Sequence, residues 1–139
     1  FLFRVSDEWF ALPTSACERA VAKVRVHTVP HRSGGVLLGL GSVDGDLLPV
    51  VSLTALMKLP ADATPADRIL LITWNNKRFA VPVAEAYGVA RFHQDAMRPA
   101  PSTLDRANVF ATGILKWRGK TVGWLDADRL INALVRALA

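Results

Sequence analysis

Phe10-Ala11-Leu12-Pro13 returns 69 residues later as Phe79-Ala80-Val81-Pro82. Pro30 and Ser33 return at the same spacing as Pro99 and Ser102. After a slip of five residues, Gly39 and Gly45 match Gly113 and Gly119, and Val51 to Leu56 aligns with Leu125 to Leu130, now at a spacing of 74. Chance supplies one such match easily, but not all of them in order. An internal repeat sets the architecture before any local pattern does.

Each half reads mostly as strands. Phe1 to Val5, a turn at Ser6-Asp7, and Trp9 to Pro13 form a hairpin; Ile69 to Trp74, a turn at Asn75-Asn76, and Arg78 to Val83 form its twin. Asn-Asn suits the positive φ that a tight hairpin turn demands. A second hairpin runs from Val36 to Val43, turns at Asp44-Gly45 and returns through Leu47 to Val51. Its counterpart is Val109 to Trp117, Arg118-Gly119 and Thr121 to Leu125. Asp-Gly is the stronger turn signal. Helical turns are expected over Thr14 to Ala20, Ser52 to Lys58 and His93 to Met97. The best helix is the last: Asp126 can cap it, and Leu130, Ile131, Leu134, Val135 and Leu138 fall on one apolar stripe.

Leu59 to Asp67, rich in Pro, Ala and Asp, reads as the linker between the halves. Units of roughly 65 to 70 residues are marginal alone, because so small a unit buries too little apolar area. The halves must therefore share a core. The expectation is an all-β fold: two packed five-stranded barrels related by a pseudo-twofold repeat, with short helices and a C-terminal helix. The chain of 139 residues then forms a single domain, with subdomains at 1–58 and 68–126, the linker at 59–67 and the helix at 127–138.

Composition agrees with a globular chain: 51% hydrophobic and 21% charged residues exclude a disordered tail. The greasiest stretch, Val36 to Leu56, is punctuated by Gly, Asp and Pro, so no membrane helix is expected and the chain reads as soluble. Cys17 is the only cysteine, which leaves no disulfide framework or thiolate cluster and suits a reducing cytosol. The chain begins at Phe1, inside a strand, as a trimmed terminus would. The net charge of +5 permits an anionic partner, yet the basic residues are scattered rather than blocked, as on a solvated basic surface.

Catalytic signals are lacking. His27, His31 and His93 stand at no metal-ligand spacing, and Pro30 breaks the helix that would align the first two. Cys17 has no neighbouring His and reads as a small buried hydrophobe. Gly39-Leu40-Gly41 begins a dinucleotide fingerprint but has Asp44 at the third glycine position and leads into a hairpin. No enzyme, cofactor or metal site is expected. Trp9, Trp74, Trp117 and Trp124, with Arg78, Lys116, Arg118 and Lys120 nearby, compose the competing picture, a stacking platform for single-stranded nucleic acid. Tryptophans in strands are more often core or protein-interface residues.

Val26-His27-Thr28-Val29-Pro30, then Gly39 through Gly45, then Leu48-Pro49-Val50-Val51-Ser52-Leu53 resemble the signature of CheW-like coupling proteins. In that family a Pro-bearing loop leads to a strand, an Asn-Leu-Arg-Gly turn and a Pro-Val-Ile-Asp-Leu strand. Met97 to Pro101 resembles its Ile-x-Pro-x-Pro segment, and Gly113-Ile114 its closing strand. The resemblance implies a non-catalytic adaptor that joins the cytoplasmic tip of methyl-accepting chemoreceptors to a CheA-type histidine kinase, without inserting into the membrane. It also admits the regulatory domain of such a kinase, or a larger adaptor with a receiver domain. Phe10 to Thr14 and Pro30 to Gly34 resemble auxiliary coupling proteins of Wsp-type surface-sensing pathways, which regulate cyclic di-GMP.

The resemblance places partner contacts at Cys17, Arg19, Val43, Asp44 and Gly45 in the first half, and at Val83, Ala84 and Glu85 in the second. Two of these depart in sign: the family has Arg where this chain has Asp44, and Glu where it has Arg19. The family's Val-Asp-x-Val segment reads here Val83-Ala84-Glu85-Ala86. The double inversion implies that Arg19 and Asp44 face each other as a reversed pair, neutral together but presenting a different pattern to partners.

Overall fold

The computed structural model describes residues 1–29, 34–61, 66–100 and 109–139. Pro30, His31, Arg32, Ser33, Pro101, Ser102 and the 62–65 part of the linker lie outside the described residues. In the first half, β1 (Leu2–Val5), β2 (Glu8–Ala11), β3 (Cys17–Ala22), β4 (Val26–His27), β5 (Leu37–Val43) and β6 (Asp46–Val51) precede α1 (Leu53–Met57). The second half repeats the series with β7 (Arg68–Trp74), β8 (Lys77–Val83), β9 (Glu85–Gly88), β10 (Arg98–Pro99), β11 (Ala111–Trp117), β12 (Lys120–Leu125) and α2 (Ala127–Leu138).

The local chemistry places the joints. Asp44 (φ 52°) with Gly45 (83°), Asn75 (50°) with Asn76 (61°), and Arg118 (48°) with Gly119 (74°) take the two consecutive positive φ angles of a tight hairpin. Ser52 caps α1 by accepting from the Ala55 N–H at 3.0 Å, and Asp126 caps α2 by accepting from the Arg129 N–H at 3.1 Å. Thr14 to Ala20 corrects the expectation of a helical turn: only Thr14–Ala16 coils, and Cys17 enters β3. The short Ala-rich run masked an edge strand, whose polar residues carry no clear alternation.

The strands form two six-stranded sheets, β10-β11-β12-β2-β1-β9 and β3-β7-β8-β6-β5-β4. Five strands per barrel become six because the two-residue strands β4 and β10 add to the edges of β5 and β11. No ladder joins the end strands, so the sheets are open rather than closed barrels among the described residues. Each sheet also mixes the halves. Hairpin β1-β2 lies in the sheet of β9 to β12, and hairpin β7-β8 in the sheet of β3 to β6. The repeat is kept through this exchange: the parallel pairs Trp124↔Ala11 and Val50↔Ala80 are equivalent positions.

The exchange explains the core. Phe3, Val5, Phe10 and Leu12 from one hairpin meet Leu70, Ile72, Phe79, Val81 and Val83 from the other, under Leu53, Met57, Leu130, Ile131 and Leu134 of the helices. The opposite faces of the same hairpins fill two smaller interiors. One holds Val43, Leu48, Val50, Ile69, Leu71 and Ala80; the other holds Leu2, Trp9, Ala11, Leu115 and Val122. Strands buried on both faces read as near-continuous apolar runs, as Phe1 to Val5 and Ile69 to Trp74 do. At Gly39 any Cβ would collide with the His27 carbonyl, and at Gly113 with the Met97 side chain, so these two glycines let β4 and β10 cross closely.

Candidate functional site

Strand β3 pairs with β7 through a bulge: Cys17 faces Ile72 and Arg19 faces Leu71, leaving Glu18 as the extra residue. A bulge bends its strand and re-aims side chains, and here Arg19 reaches the β5-β6 hairpin end while Glu18 reaches Thr73 on β7 and Arg78 on β8. Arg19 forms an ion pair with Asp44, with side chains 49% and 64% exposed. The reversed pair expected from the sequence is therefore formed. Beside it, Arg78 on β8 donates from Nε to Glu18 Oε1 at 2.9 Å and from Nη2 to Glu18 Oε2 at 3.1 Å. Its Nη1 donates to Asp46 Oδ2 at 3.0 Å, and Thr73 Oγ1 donates to Glu18.

The bidentate guanidinium and the Thr73 hydroxyl hold the Glu18 carboxyl below its ordinary range. Arg78 is correspondingly pushed up, chiefly by its bonds to Glu18 and Asp46. The result is a rim of five charges in which every carboxylate has a guanidinium. The bulge hid the part played by Glu18, and with it the link through Arg78 to Asp46, from sequence reasoning.

The second group is placed by Arg4 on β1. The Ala84 N–H donates to the Arg4 carbonyl at 2.8 Å, where the chain crosses from β8 to β9, and Arg4 Nε lies 3.4 Å from Glu85 Oε2. Val83 ends β8 in the sheet that carries Arg19 and Asp44, while Glu85 opens β9 in the other sheet. Val43 (4% exposed) and Val83 (1%) lie in the core and present no side chain outward in this conformation. Cys17 packs against the main core, and burial pushes its thiol up to about 11. No cluster of three or more metal-ligating side chains occurs among the described residues. Nor is any helix there long and apolar enough to cross a membrane.

The four tryptophans do not make one platform. Trp9 is buried, Trp124 packs beside it in the smaller interior, and Trp74 Nε1 donates to Asp128 Oδ1 at 2.7 Å, tying β7 to α2. Only Trp117 reaches a rim, where Arg118 lies 5.0 Å over its ring.

Residues 1–135 match the model of the CheW-like domain family. Fourteen solved chains match significantly. Among them is the scaffolding protein TtCheW from Thermoanaerobacter tengcongensis, superposing with a TM-score of 0.79 at 17% identity over 91% of this chain and 82% of that one. At that identity the likeness shows the fold. No curated protein sequence matches significantly.

Proposed function

The chain belongs to the CheW-like domain family, and we propose that it is a non-catalytic adaptor coupling the cytoplasmic tips of methyl-accepting chemoreceptors to a CheA-type histidine kinase. The observation that carries this reading is the family match, which runs over residues 1–135. The raised thiol of Cys17 accords with it. On this reading the protein works at receptor arrays on the cytoplasmic face of the membrane without entering the bilayer. The Wsp-type branch, with cyclic di-GMP synthesis as output, is supported by the wording of Phe10 to Thr14.

Contact falls to the side chains at the rims. Arg19, Asp44 and Gly45 face outward on one sheet and Glu85 on the other, with Ala84 setting the crossover; Val43, Val83 and Cys17 shape these segments from beneath. A rim that pairs its own charges steers and discriminates partners more than it adds raw affinity. Pull-down of the purified chain with a receptor cytoplasmic tip, and separately with a kinase regulatory domain, tests the proposal. Saturable binding to either is expected. Failure to bind both, together with salt-resistant binding to single-stranded nucleic acid, would replace the adaptor with the competing class.

A further inference from the structure

The rim of charges has a double. Translating its members by the repeat spacings turns Glu18 into Tyr87, Arg19 into Gly88, Asp44 into Arg118, Asp46 into Lys120, Thr73 into Arg4 and Arg78 into Trp9. These six lie together again, at the matching place on the other sheet. The backbone repeats as well: β1 and β9 pair with a bulge in which Leu2 faces Gly88 and Phe3 faces Ala86, leaving Tyr87 as the extra residue, as Glu18 is in β3. The chemistry does not repeat. Tyr87 meets the Trp117 ring edge-on at 4.6 Å, and Trp117 meets Trp9 at 5.1 Å. Arg118 lies 5.0 Å over both Tyr87 and Trp117, and its Nη2 donates to the Tyr87 hydroxyl at 3.0 Å. Trp9 and Lys120 line one hollow, as Arg78 and Asp46 share one bond.

The location gives these clusters a mechanical meaning. Among the described residues β3 and β9 are the end strands of the open sheets, each hydrogen-bonded to one neighbour there, and both are largely polar or half-exposed. Beyond that ladder, side chains tie each end strand to the hairpin end, Arg19 to Asp44 of β5-β6 and Tyr87 to Trp117 of β11-β12, with Glu18 reaching Asp46 through Arg78 across β7 and β8. We propose that each sheet is held shut by a side-chain clasp at repeat-equivalent positions, one ionic and one aromatic, and that the ionic clasp alone loosens as ionic strength rises, freeing β3 while β9 stays tied.

The asymmetry follows from the forces. The first clasp is Coulombic attraction between groups a third to two-thirds exposed, and screening shortens its reach from about 10 Å in 0.1 M salt to about 3 Å in 1 M. The second rests mainly on aromatic packing, with Trp9 buried and Trp117 partly so, contacts that do not weaken as salt rises; its one ion pair, Arg4–Glu85, joins β9 only to the β1 strand it is already hydrogen-bonded to. One fold thus carries a salt-responsive rim and a fixed one. This inference stands on the geometry and does not depend on the adaptor reading.

Hydrogen exchange of the full chain, followed by mass spectrometry in about 0.1 M and about 1 M sodium chloride, tests it. Segment 17–22 is expected to exchange about threefold or more faster at high salt, while segment 85–88 keeps its rate. Arg78→Met, which keeps the apolar stem, should make 17–22 fast at both salt concentrations. Tyr87→Leu should speed 85–88 equally at both. Equal salt responses in the two segments, no response in 17–22, or unchanged exchange of 17–22 in Arg78→Met would each overturn the proposal. The wild-type comparison decides the matter even if a variant folds poorly.

Discussion

Reversing one charge of the Arg19–Asp44 pair is the sharpest test of the rim, and the structure makes its two halves unequal. Arg19→Glu adds a fourth carboxylate to Glu18, Asp44 and Asp46 and leaves Arg78 as the only nearby cation of the network. Asp44→Arg instead places a second free guanidinium within reach of carboxylates already held by Arg78. An exposed pair is worth about 0.2–1 kcal/mol, and like-charge repulsion at the same place adds a similar amount. Arg19→Glu should therefore cost about 1–1.5 kcal/mol, roughly 3–6 °C in Tm for a chain of this size, and Asp44→Arg about half as much. Thermal unfolding and calorimetric titration of a kinase regulatory domain read the two effects separately. The double reversal should regain about 0.5–1 kcal/mol of coupling in stability and part of the binding. Effects that add to within about 0.3 kcal/mol would refute the pairing as an energetic unit, whatever its geometry.

Gly39→Ala sets a Cβ against the backbone of His27 at a φ of 151°, so it should destabilise by about 2–4 kcal/mol in urea unfolding, whereas Gly113→Ala meets chiefly the flexible Met97 side chain, with the Arg98 carbonyl 3.2 Å away, and should cost about 1–2. Glu18 has a folded pKa below its ordinary 4.5, so its contribution is present above that value and is lost as pH falls through the folded one. Urea midpoints should accordingly drop below about pH 4.5, and Glu18→Gln should flatten that part of the profile. Trp74→Phe removes the donor to Asp128 while keeping most of the apolar ring, and should cost about 1 kcal/mol with faster amide exchange in α2.

The fold was legible wherever its cause was local. The four hairpins, the capping by Ser52 and Asp126 and the apolar stripe of α2 are written in adjacent residues, and they stand within a residue or two of expectation. The exchange of hairpins between sheets was not legible. Leu2 pairs with Gly88 and Ala22 with Arg68, contacts between residues far apart in the chain whose choice depends on loop closure and shared burial rather than on any short pattern. Strands β4 and β10, two residues each, are too short to show a period.

The site divided along the same line. Arg19 and Asp44 could be paired from their signs, because two inversions that cancel imply proximity. Glu18 and Arg78 needed the bulge, which no residue in Cys17 to Ala20 announces. Val43 and Val83 belong to hairpin ends, where sequence shows the turn but not which side chain the pleat sends inward.

The repeat makes an internal control for what the fold itself requires. At equivalent interior positions the two copies keep the same kind of residue: Ala80 and Ala11, Leu48 and Val122, Val50 and Trp124 all pack inward, and Gly39 and Gly113 both admit a crossing strand. At the equivalent rims the copies share a bulge, a hairpin end and a guanidinium donating to the bulge residue, but one is otherwise ionic and the other aromatic. A rim can therefore be rewritten from ions to aromatic rings without changing the sheet that carries it. On the proposed adaptor reading, the backbone held by a core both halves supply would set where a partner docks, and the few side chains that close each sheet would set which partner it is. We propose that specificity in this chain resides in Arg19, Asp44, Glu18 and Arg78 on one side and in Tyr87, Trp117 and Arg118 on the other; exchanging either set for a relative's residues should then change which kinase regulatory domain is captured in a pull-down, and unchanged capture would refute it.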